Sequence, residues 1–387
     1  MRAVTREDHK MNLGYEQKQV PHSRRISNKM TLTRPVRVYR SGRHLACRRA
    51  GHPARRIFAW ISPQSCHSGR QDAKFFLHVF LFRGLALPLI GFALSSGCVT
   101  RPIHVTHNDR MFEAGIDGRT LITYQLKAPP DAGLPVDSGG FFHPLTTPSG
   151  TVVTDLAPAD HRHHRGVFLA WVEMHGAKDA DFWGWGEHAP VKGRRIVNQR
   201  LRPRISDESV SFRADNTWEA EGIVLMRERL DAIASDREGV RVLDLTYRLT
   251  PIEDLTLSRW AFSGFCLRVR KDGDIRMYSP AGPSRLPAPS HLKPESDWPD
   301  ARWYACEQTL ADGKQIGAAV LNHPQNPPTL WHNHPDIRMI NPCIVAPAEV
   351  KLKGGKPLVL HYRVVTFDGK LPKAALDKLS AEWENAR

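Results

Sequence analysis

Apolar and polar residues alternate with a period of two along much of the chain after residue 103. Within residues 241–250, Leu243 and Leu245 alternate with Asp244, and residues 357–367 repeat the pattern. Such alternation is typical of β-strands with one buried face. Further strands are predicted, with Gly- and Pro-rich turns between them, at residues 120–128, 166–174, 222–230, 265–270 and 315–323.

One segment has the period of a helix instead. In residues 372–386, Leu376, Leu379 and Trp383 recur at spacings of three and four. We expect this C-terminal helix to cap a sheet edge or to pack across the end of the sheets. With no linker or repeat in residues 103–387, we predict one all-β domain, a large antiparallel β-sandwich with more strands than an immunoglobulin domain.

The net charge of +15 is concentrated at the N-terminus. Residues 1–97 hold 18 Lys and Arg against 4 Asp and Glu, which leaves 37 against 36 in the remainder. The nearly neutral remainder argues against a nucleic-acid partner. Residues 1–78 have little periodicity and no apolar cluster, so we predict a disordered or untranslated basic extension.

Residues 79–97 have the pattern of a bacterial lipoprotein signal peptide. Arg83 precedes an apolar run at 84–97, and small residues lead to Cys98. The run is shorter than the ~20 residues that a membrane-spanning helix needs. We therefore predict an exported protein of the bacterial cell envelope, lipidated at Cys98 and held at the membrane only by that anchor.

Histidine and tryptophan are concentrated in DHRHHRG at 160–166 and DFWGWGEH at 181–188. Imidazole moves protons near neutral pH, arginine holds carboxylates or sugar hydroxyls, and tryptophan faces stack on sugar rings. The alternatives are an exposed polar turn and core packing. The catalytic candidates here are His163, His164 and Arg165. The candidates for ligand contact are His143, His161, Trp183, Trp185 and Glu187.

A second concentration lies in LNHPQNPPTLWHNHPD at 321–336. Its prolines stiffen a loop that follows a strand, and such loops are where binding and catalytic residues are disproportionately found. The alternative is a rigid surface loop without a function. The candidates here are His323 and His332 for catalysis, with Asn326 and Trp331 for ligand contact.

Four segments together resemble a known exported family, labelled PmoA-type, whose function is unknown. They are residues 143–171, 181–187, 321–332 and 358–369, and HHRG is their most specific part. The resemblance implies a β-supersandwich similar to galactose mutarotases, in which a histidine and a carboxylate move protons on a sugar without a metal. His163 or His164 would be that histidine, whereas the sequence shows no matching late carboxylate.

Three functions are compatible with these residues. The first is an exported carbohydrate-active enzyme, an isomerase, lyase or hydrolase, that uses histidine acid/base chemistry and no favoured cofactor. The second is a non-catalytic sugar-binding lipoprotein. The third is a metal-dependent oxidoreductase or hydrolase, with copper, zinc or iron held among His161, His163, His164, His332 and His334. The enzymatic interpretation requires imidazoles around 161–164 and around 323–334 to meet in one cavity.

Overall fold

Antiparallel β-strands make up most of the computed structural model, which describes residues 102–135, 138–185, 193–206, 208–284 and 298–385. The predictions for residues 1–78, the leader at 79–97, Cys98 and Glu187 lie outside the described residues. The first eleven strands are β1 (Ile103–His107), β2 (Met111–Ile116), β3 (Arg119–Gln125), β4 (Phe141–Phe142), β5 (Val167–Ala170), β6 (Met174–His175), β7 (Arg194–Ile205), β8 (Ser209–Ala220), β9 (Ile223–Arg237), β10 (Val240–Pro251) and β11 (Leu255–Leu257). The remaining elements are β12 (Gly264–Arg268), β13 (Asp274–Ser279), β14 (Gly282–Ser284), β15 (Trp303–Thr309), β16 (Gln315–Asn322), β17 (Leu330–Trp331), β18 (Met339–Ile340), β19 (Pro342–Cys343), β20 (Val350–Leu352), β21 (Leu358–Asp368) and the helix α1 (Lys373–Asn385).

The strands form two large sheets and two small ones. The seven-stranded sheet has the order β1-β2-β3-β4-β5-β12-β18, and the nine-stranded sheet has the order β14-β13-β15-β16-β21-β10-β9-β8-β7. The small sheets are β20-β11-β6 and β17-β19. Neighbouring strands run antiparallel, as in the pairs β9–β10 and β10–β21. The predicted all-β antiparallel fold with one C-terminal helix is confirmed.

The two large sheets pack face to face through aromatic side chains. Tyr124 of β3 lies 4.8 Å from Phe212 of β8 between ring centroids. Phe265 of β12 stacks on Tyr362 of β21, with the centroids 4.1 Å apart. These contacts bury the inward-facing side chains of both sheets, which is the packing of a β-sandwich.

The helix α1 packs on the outer face of the nine-stranded sheet. Arg363 donates a hydrogen bond to the carbonyl of Leu379 at 2.9 Å, and Trp303 Nε1 donates to Asp377 at 3.1 Å. The expectation that the helix caps an edge or an end is wrong, because β21 is buried on both faces and α1 covers the outer one, where Val365 and Phe367 lie. Within the described residues, no helix combines the length and the apolar character of a membrane span.

The three cysteines of the described region are buried thiols. Cys266 and Cys306 lie on strands β12 and β15, and Cys343 lies on β19. Burial raises the pKa of the Cys306 thiol to about 12, which keeps it protonated and unreactive at neutral pH. This agrees with the absence of any CxxC spacing in the sequence.

A carboxyl group is buried between the two sheets. Glu228 of β9 accepts hydrogen bonds from Asn216 Nδ2 at 2.7 Å and from Trp218 Nε1 at 2.8 Å. Burial raises the pKa of Glu228 to about 7, and these two donors only partly oppose the rise. The group therefore exchanges a proton close to neutral pH.

Glu228 is expected to make stability depend on pH. Folding raises the pKa of Glu228 from 4.5 to about 7. Its contribution to the free energy of unfolding is therefore complete below pH 4.5 and is lost as pH rises through about 7. The loss amounts to about 3 kcal/mol at most. Denaturant unfolding between pH 4.5 and 8 should show this slope in the wild type and not in Glu228→Gln. The exposed Glu238→Gln variant should keep the slope, and equal slopes in all three proteins would contradict the assignment.

Candidate functional site

Three strand ends bring the distant histidine segments together. β12 pairs with β5, where Leu267 lies opposite Val167, and with β18, where Arg268 lies opposite Met339. The residues just before β5 and just before β18 therefore flank the same end of β12. These residues are the HRHHRG and HNHP segments of the sequence.

A cavity of about 90 Å³ lies between these segments. We call it the histidine cavity. Its lining comprises His161, His163, His164, Trp183, Trp185, Phe262, His332, His334, Ile337 and Met339. Imidazoles from around 161–164 and from 332–334 therefore meet, as the enzymatic interpretation requires.

The imidazoles of the first segment form a tight group. The ring centroids of His163 and His164 are 4.6 Å apart with the planes at 84°. His161 stacks on His164 at 4.9 Å and 21°. Across the cavity, Phe262 lies 5.3 Å from His332. The rings thus face a common space from two sides.

Arg268 is fully buried behind this group. Its Nη1 donates to His164 Nδ1 at 3.1 Å, and its Nη2 donates to the two oxygens of Asp160 at 2.9 and 3.1 Å. A guanidinium can only donate, so His164 Nδ1 accepts and the neutral ring carries its proton on Nε2. Burial favours a raised pKa for Asp160, but the bonds from Arg268 and Lys271 outweigh it and lower that pKa below its usual range.

Burial also keeps the cavity imidazoles neutral. It lowers the pKa of His163 to about 3, with further lowering from the charges on His161, Arg165 and Arg268. Burial and the neighbouring His163 hold the pKa of His164 well below its usual value. At neutral pH both rings are therefore uncharged hydrogen-bonding groups.

Arg165 and Asp181 position the tryptophan segment and do not line the cavity. Arg165 Nη2 donates to the carbonyl of Phe182 at 3.0 Å. Asp181 accepts the backbone N–H groups of Gly184 at 2.6 Å and of Trp185 at 2.8 Å. The catalytic role predicted for Arg165 is corrected to a positioning role, because its guanidinium is buried against this segment and not in the cavity.

The two tryptophans differ in exposure. Trp183 is 2% exposed and packs on Phe168 at 5.0 Å and on Phe262 at 5.7 Å, so it is a cavity wall. Trp185 is 44% exposed and lies nearly parallel to His161 at 6.0 Å. Of these two tryptophans, Trp185 therefore offers the accessible aromatic face beside the cavity mouth.

His323 and Asn326 do not reach the histidine cavity. The His323 ring lies 4.9 Å from Trp383 of α1 and 5.3 Å from His361. Asn326 exchanges hydrogen bonds with the backbone of His361 at 2.8 Å each way. The expectation that His323 and Asn326 complete the pocket is wrong. β16 belongs to the nine-stranded sheet and ends at Asn322, so the residues that follow it lie beneath the helix.

Trp331 and His143 also lie away from the cavity lining. Trp331 is fully buried, donates from Nε1 to Ala301 O at 3.0 Å and packs on Tyr304 at 4.9 Å. It is a core residue and not a sugar platform. His143 Nδ1 lies 2.9 Å from Thr154 Oγ1, and burial lowers its pKa to about 4. The ligand contacts predicted for both are therefore corrected.

Sequence reasoning missed several residues of the site. Phe262 and Met339 line the cavity, and Arg268 supports it from behind. A usable signal existed for Arg268, which is the one charged residue in the otherwise apolar strand β12. Phe262 lies in a turn, where no periodic pattern marks it.

Two further observations concern metal-binding groups and a second cavity. In the part of the chain that the structure describes, no group of three or more His, Cys, Asp or Glu side chains is arranged to hold a metal ion. A larger cleft of about 700 Å³ lies nearby, with Asp274, Arg276, Glu307 and Arg338 in its lining. Its described lining residues include no imidazole or tryptophan.

Gly184 allows the tryptophan segment to approach His163. Its φ is +106°, and a Cβ there would lie 2.8 Å from His163 Cβ. Gly184→Ala should therefore displace His163 and lower the free energy of unfolding. Gly282 has a similar φ of +103° with no atom within 4 Å of its virtual Cβ, so Gly282→Ala is a matched control for backbone strain.

Denaturant unfolding should find Gly184→Ala less stable than Gly282→Ala by about 1–3 kcal/mol, the usual cost of overpacking. Equal losses in the two variants would show that the contact with His163 is unimportant.

The profile of one protein family matches residues 112–381, and it is described as a family of unknown function (DUF6807). The chain belongs to this family. The PmoA-type label expected from the HHRG segment stays a prediction. No curated protein matches the sequence.

Several solved structures are similar to the chain at low identity. An α-galactosidase from Lactobacillus brevis is 10% identical with a TM-score of 0.36, over 73% of this chain and 42% of its own. A GH36 α-galactosidase from Geobacillus stearothermophilus is 10% identical with a TM-score of 0.36, over 69% and 41%. A galactose mutarotase related enzyme from Lactobacillus acidophilus is 7% identical with a TM-score of 0.32, over 70% and 100%. The chain thus spans about two fifths of the α-galactosidases.

Proposed function

We propose that the chain binds a carbohydrate at the histidine cavity and transfers a proton on it with His163, assisted by a hydrogen bond from His164. The observation that carries this proposal is a neutral imidazole pair, 4.6 Å apart, beside the exposed face of Trp185. Tryptophan faces stack on sugar rings, and neutral imidazoles exchange hydrogen bonds with hydroxyls.

The two imidazoles differ in their hydrogen-bond partners. His164 presents an Nε2–H because Arg268 occupies its Nδ1. His163 Nε2 is buried without a hydrogen-bond partner within the described residues. His163 can therefore accept a proton from a sugar hydroxyl, while His164 keeps its proton and stabilises a neighbouring oxygen by donating a hydrogen bond from Nε2–H.

The size of the cavity limits how a sugar can bind. Its volume of about 90 Å³ is well below the ~300–1,000 Å³ typical of pockets that enclose a drug-sized ligand. A sugar ring therefore lies at the mouth against Trp185, and only a substituent of the ring enters between the imidazoles.

A second function is favoured by one specific observation. With a pKa of about 3, His163 is a weak base at neutral pH, which suits a binding role without turnover. A non-catalytic sugar-binding protein is therefore the competing proposal. Turnover on a panel of oligosaccharides, and anomer interconversion followed by polarimetry, separates the two.

Trp185 provides the test of sugar binding at this place. Calorimetric titration with the same panel should show binding by the wild type and at least about fivefold weaker binding by Trp185→Ala, because stacking contacts on an aromatic face are worth about 1 kcal/mol or more. Ile233→Ala is the matched control, since Ile233 has the same exposure of 44% and lies on β9, outside the cavity lining. Equal losses in both variants, or no loss in either, would refute the site.

Export to the cell envelope and a lipid anchor at Cys98 remain part of this proposal. They rest on the sequence pattern of residues 79–98, with Arg83, an apolar run and small residues before the cysteine. An extracellular or periplasmic location is also where a protein meets environmental carbohydrates first.

A further inference from the structure

The histidine cavity has no carboxylate among its described lining residues. The acidic group just behind it is Asp160, and this group is already paired. Arg268 donates to both of its oxygens, and Lys271 Nζ lies 3.1 Å from Oδ2. Two cations therefore share one anion at the base of the cavity.

The other charged groups near the cavity add no negative excess inside it. Arg165 is buried, and the charge of Asp181 opposes it. Asp336 is exposed in the loop that follows His334, where water and salt screen its charge. Among the buried and half-buried groups, Arg268 and Arg165 balance Asp160 and Asp181, and the imidazoles are neutral. Lys271, like Asp336, is exposed.

Arg268 acts on the cavity through its hydrogen bond to His164. Its Nη1 hydrogen bond to Nδ1 polarises the ring, and polarised chains of hydrogen bonds strengthen one another. The Nε2–H of His164 thereby becomes a donor suited to an anion. After burial, Arg268 is among the causes that lower the pKa of His161, His163 and His334, whereas Asp160 raises the pKa of His161 and Asp336 that of His334.

We propose that the carbohydrate bound here carries a carboxylate, as in a uronic acid, and that this carboxylate enters the histidine cavity and accepts the Nε2–H of His164. The inference rests on the proposed function and names the substrate class of that site. A cavity of about 90 Å³ admits a group of carboxylate size while the ring stays against Trp185. Removing this charge from the sugar should remove most of the affinity.

Calorimetric titration of the full chain with three matched ligand types tests the proposal. The probes are glucuronate and galacturonate, their neutral uronamides of nearly the same shape, and the parent hexoses. We expect each acid to bind at least about tenfold more tightly than its amide, the usual advantage of a charged hydrogen-bond acceptor. Acids that bind no better than amides would overturn this inference and leave the proposed function intact. Failure of every sugar to bind would overturn both.

Variants of Arg268 connect the preference to its cause. Arg268→Lys keeps the charge and should keep a preference for the acid, whereas a folded Arg268→Gln should bind acid and amide alike. The exposed Arg213→Gln, which loses only a surface pair with Asp231, should behave as the wild type. Circular dichroism establishes which variants fold. If Arg268→Gln does not fold, the ligand series on the wild type and on Arg268→Lys decides, and an undiminished preference in a folded Arg268→Gln contradicts the proposal.

Discussion

Replacing His163 by alanine is expected to lower turnover of the sugar substrate by about 100- to 10,000-fold, the range that a positioned proton-transfer group contributes. The affinity for the sugar should change little, because Trp185 still contacts the sugar ring and His164 still binds the sugar substituent inside the cavity. Steady-state kinetics gives the turnover and calorimetry gives the affinity. His175→Ala is the control, since His175 is an exposed residue of β6, outside the cavity lining.

The pH profile sharpens this prediction. Because burial lowers the pKa of His163 to about 3, its ring stays neutral through the range in which an ordinary histidine gains a proton. The kcat/KM of the wild type should therefore stay level from about pH 8 to about pH 5 and fall only as pH approaches the lowered value. A fall centred near pH 6.5, or full turnover by the alanine variant, would contradict the role of His163.

Replacing Arg268 by methionine is expected to lower the free energy of unfolding by about 3–5 kcal/mol, the usual cost of breaking a buried ion pair from one side. The guanidinium is fully buried and holds both Asp160 and His164. Its loss leaves Asp160 with the exposed Lys271 and with His161, and removes the donor to His164 Nδ1. Denaturant unfolding provides the measurement.

A second substitution separates the ion pair from simple packing. Asp160→Asn in the Arg268→Met background should cost much less than it does alone, because the partner charge is already gone. Arg213→Met breaks an exposed pair with Asp231 and should cost only about 0–1 kcal/mol. The structural role of Arg268 would be contradicted if the losses of stability from Asp160→Asn and Arg268→Met were additive. A loss from Arg268→Met as small as that from Arg213→Met would contradict it as well.

The strand pattern was readable from the sequence because one buried face imposes a period of two. Residues 241–250 became β10 and residues 357–367 became β21, within one residue at each end. The helix was found by the same reasoning, but its place was not. β21 pairs with both β10 and β16, and the burial of its second face, which the helix covers, is visible only in the assembled sheet.

The site was predictable only where its residues are close in sequence. The HRHHRG segment and the two tryptophans were found as a local cluster, and His332 joins them as expected. His323 precedes His332 by only nine residues, yet β16 carries it into the other sheet. Arg268 reaches the cluster through strand register, and single-sequence patterns carry no information about which strands pair.

A crystal structure of the chain soaked with galacturonate would test the central claim most directly. The account predicts the sugar ring against the face of Trp185, with a substituent between His163 and His164 and within hydrogen-bond distance of His164 Nε2. Sugar density in the larger cleft lined by Arg276 and Arg338, with the histidine cavity holding none, would contradict it.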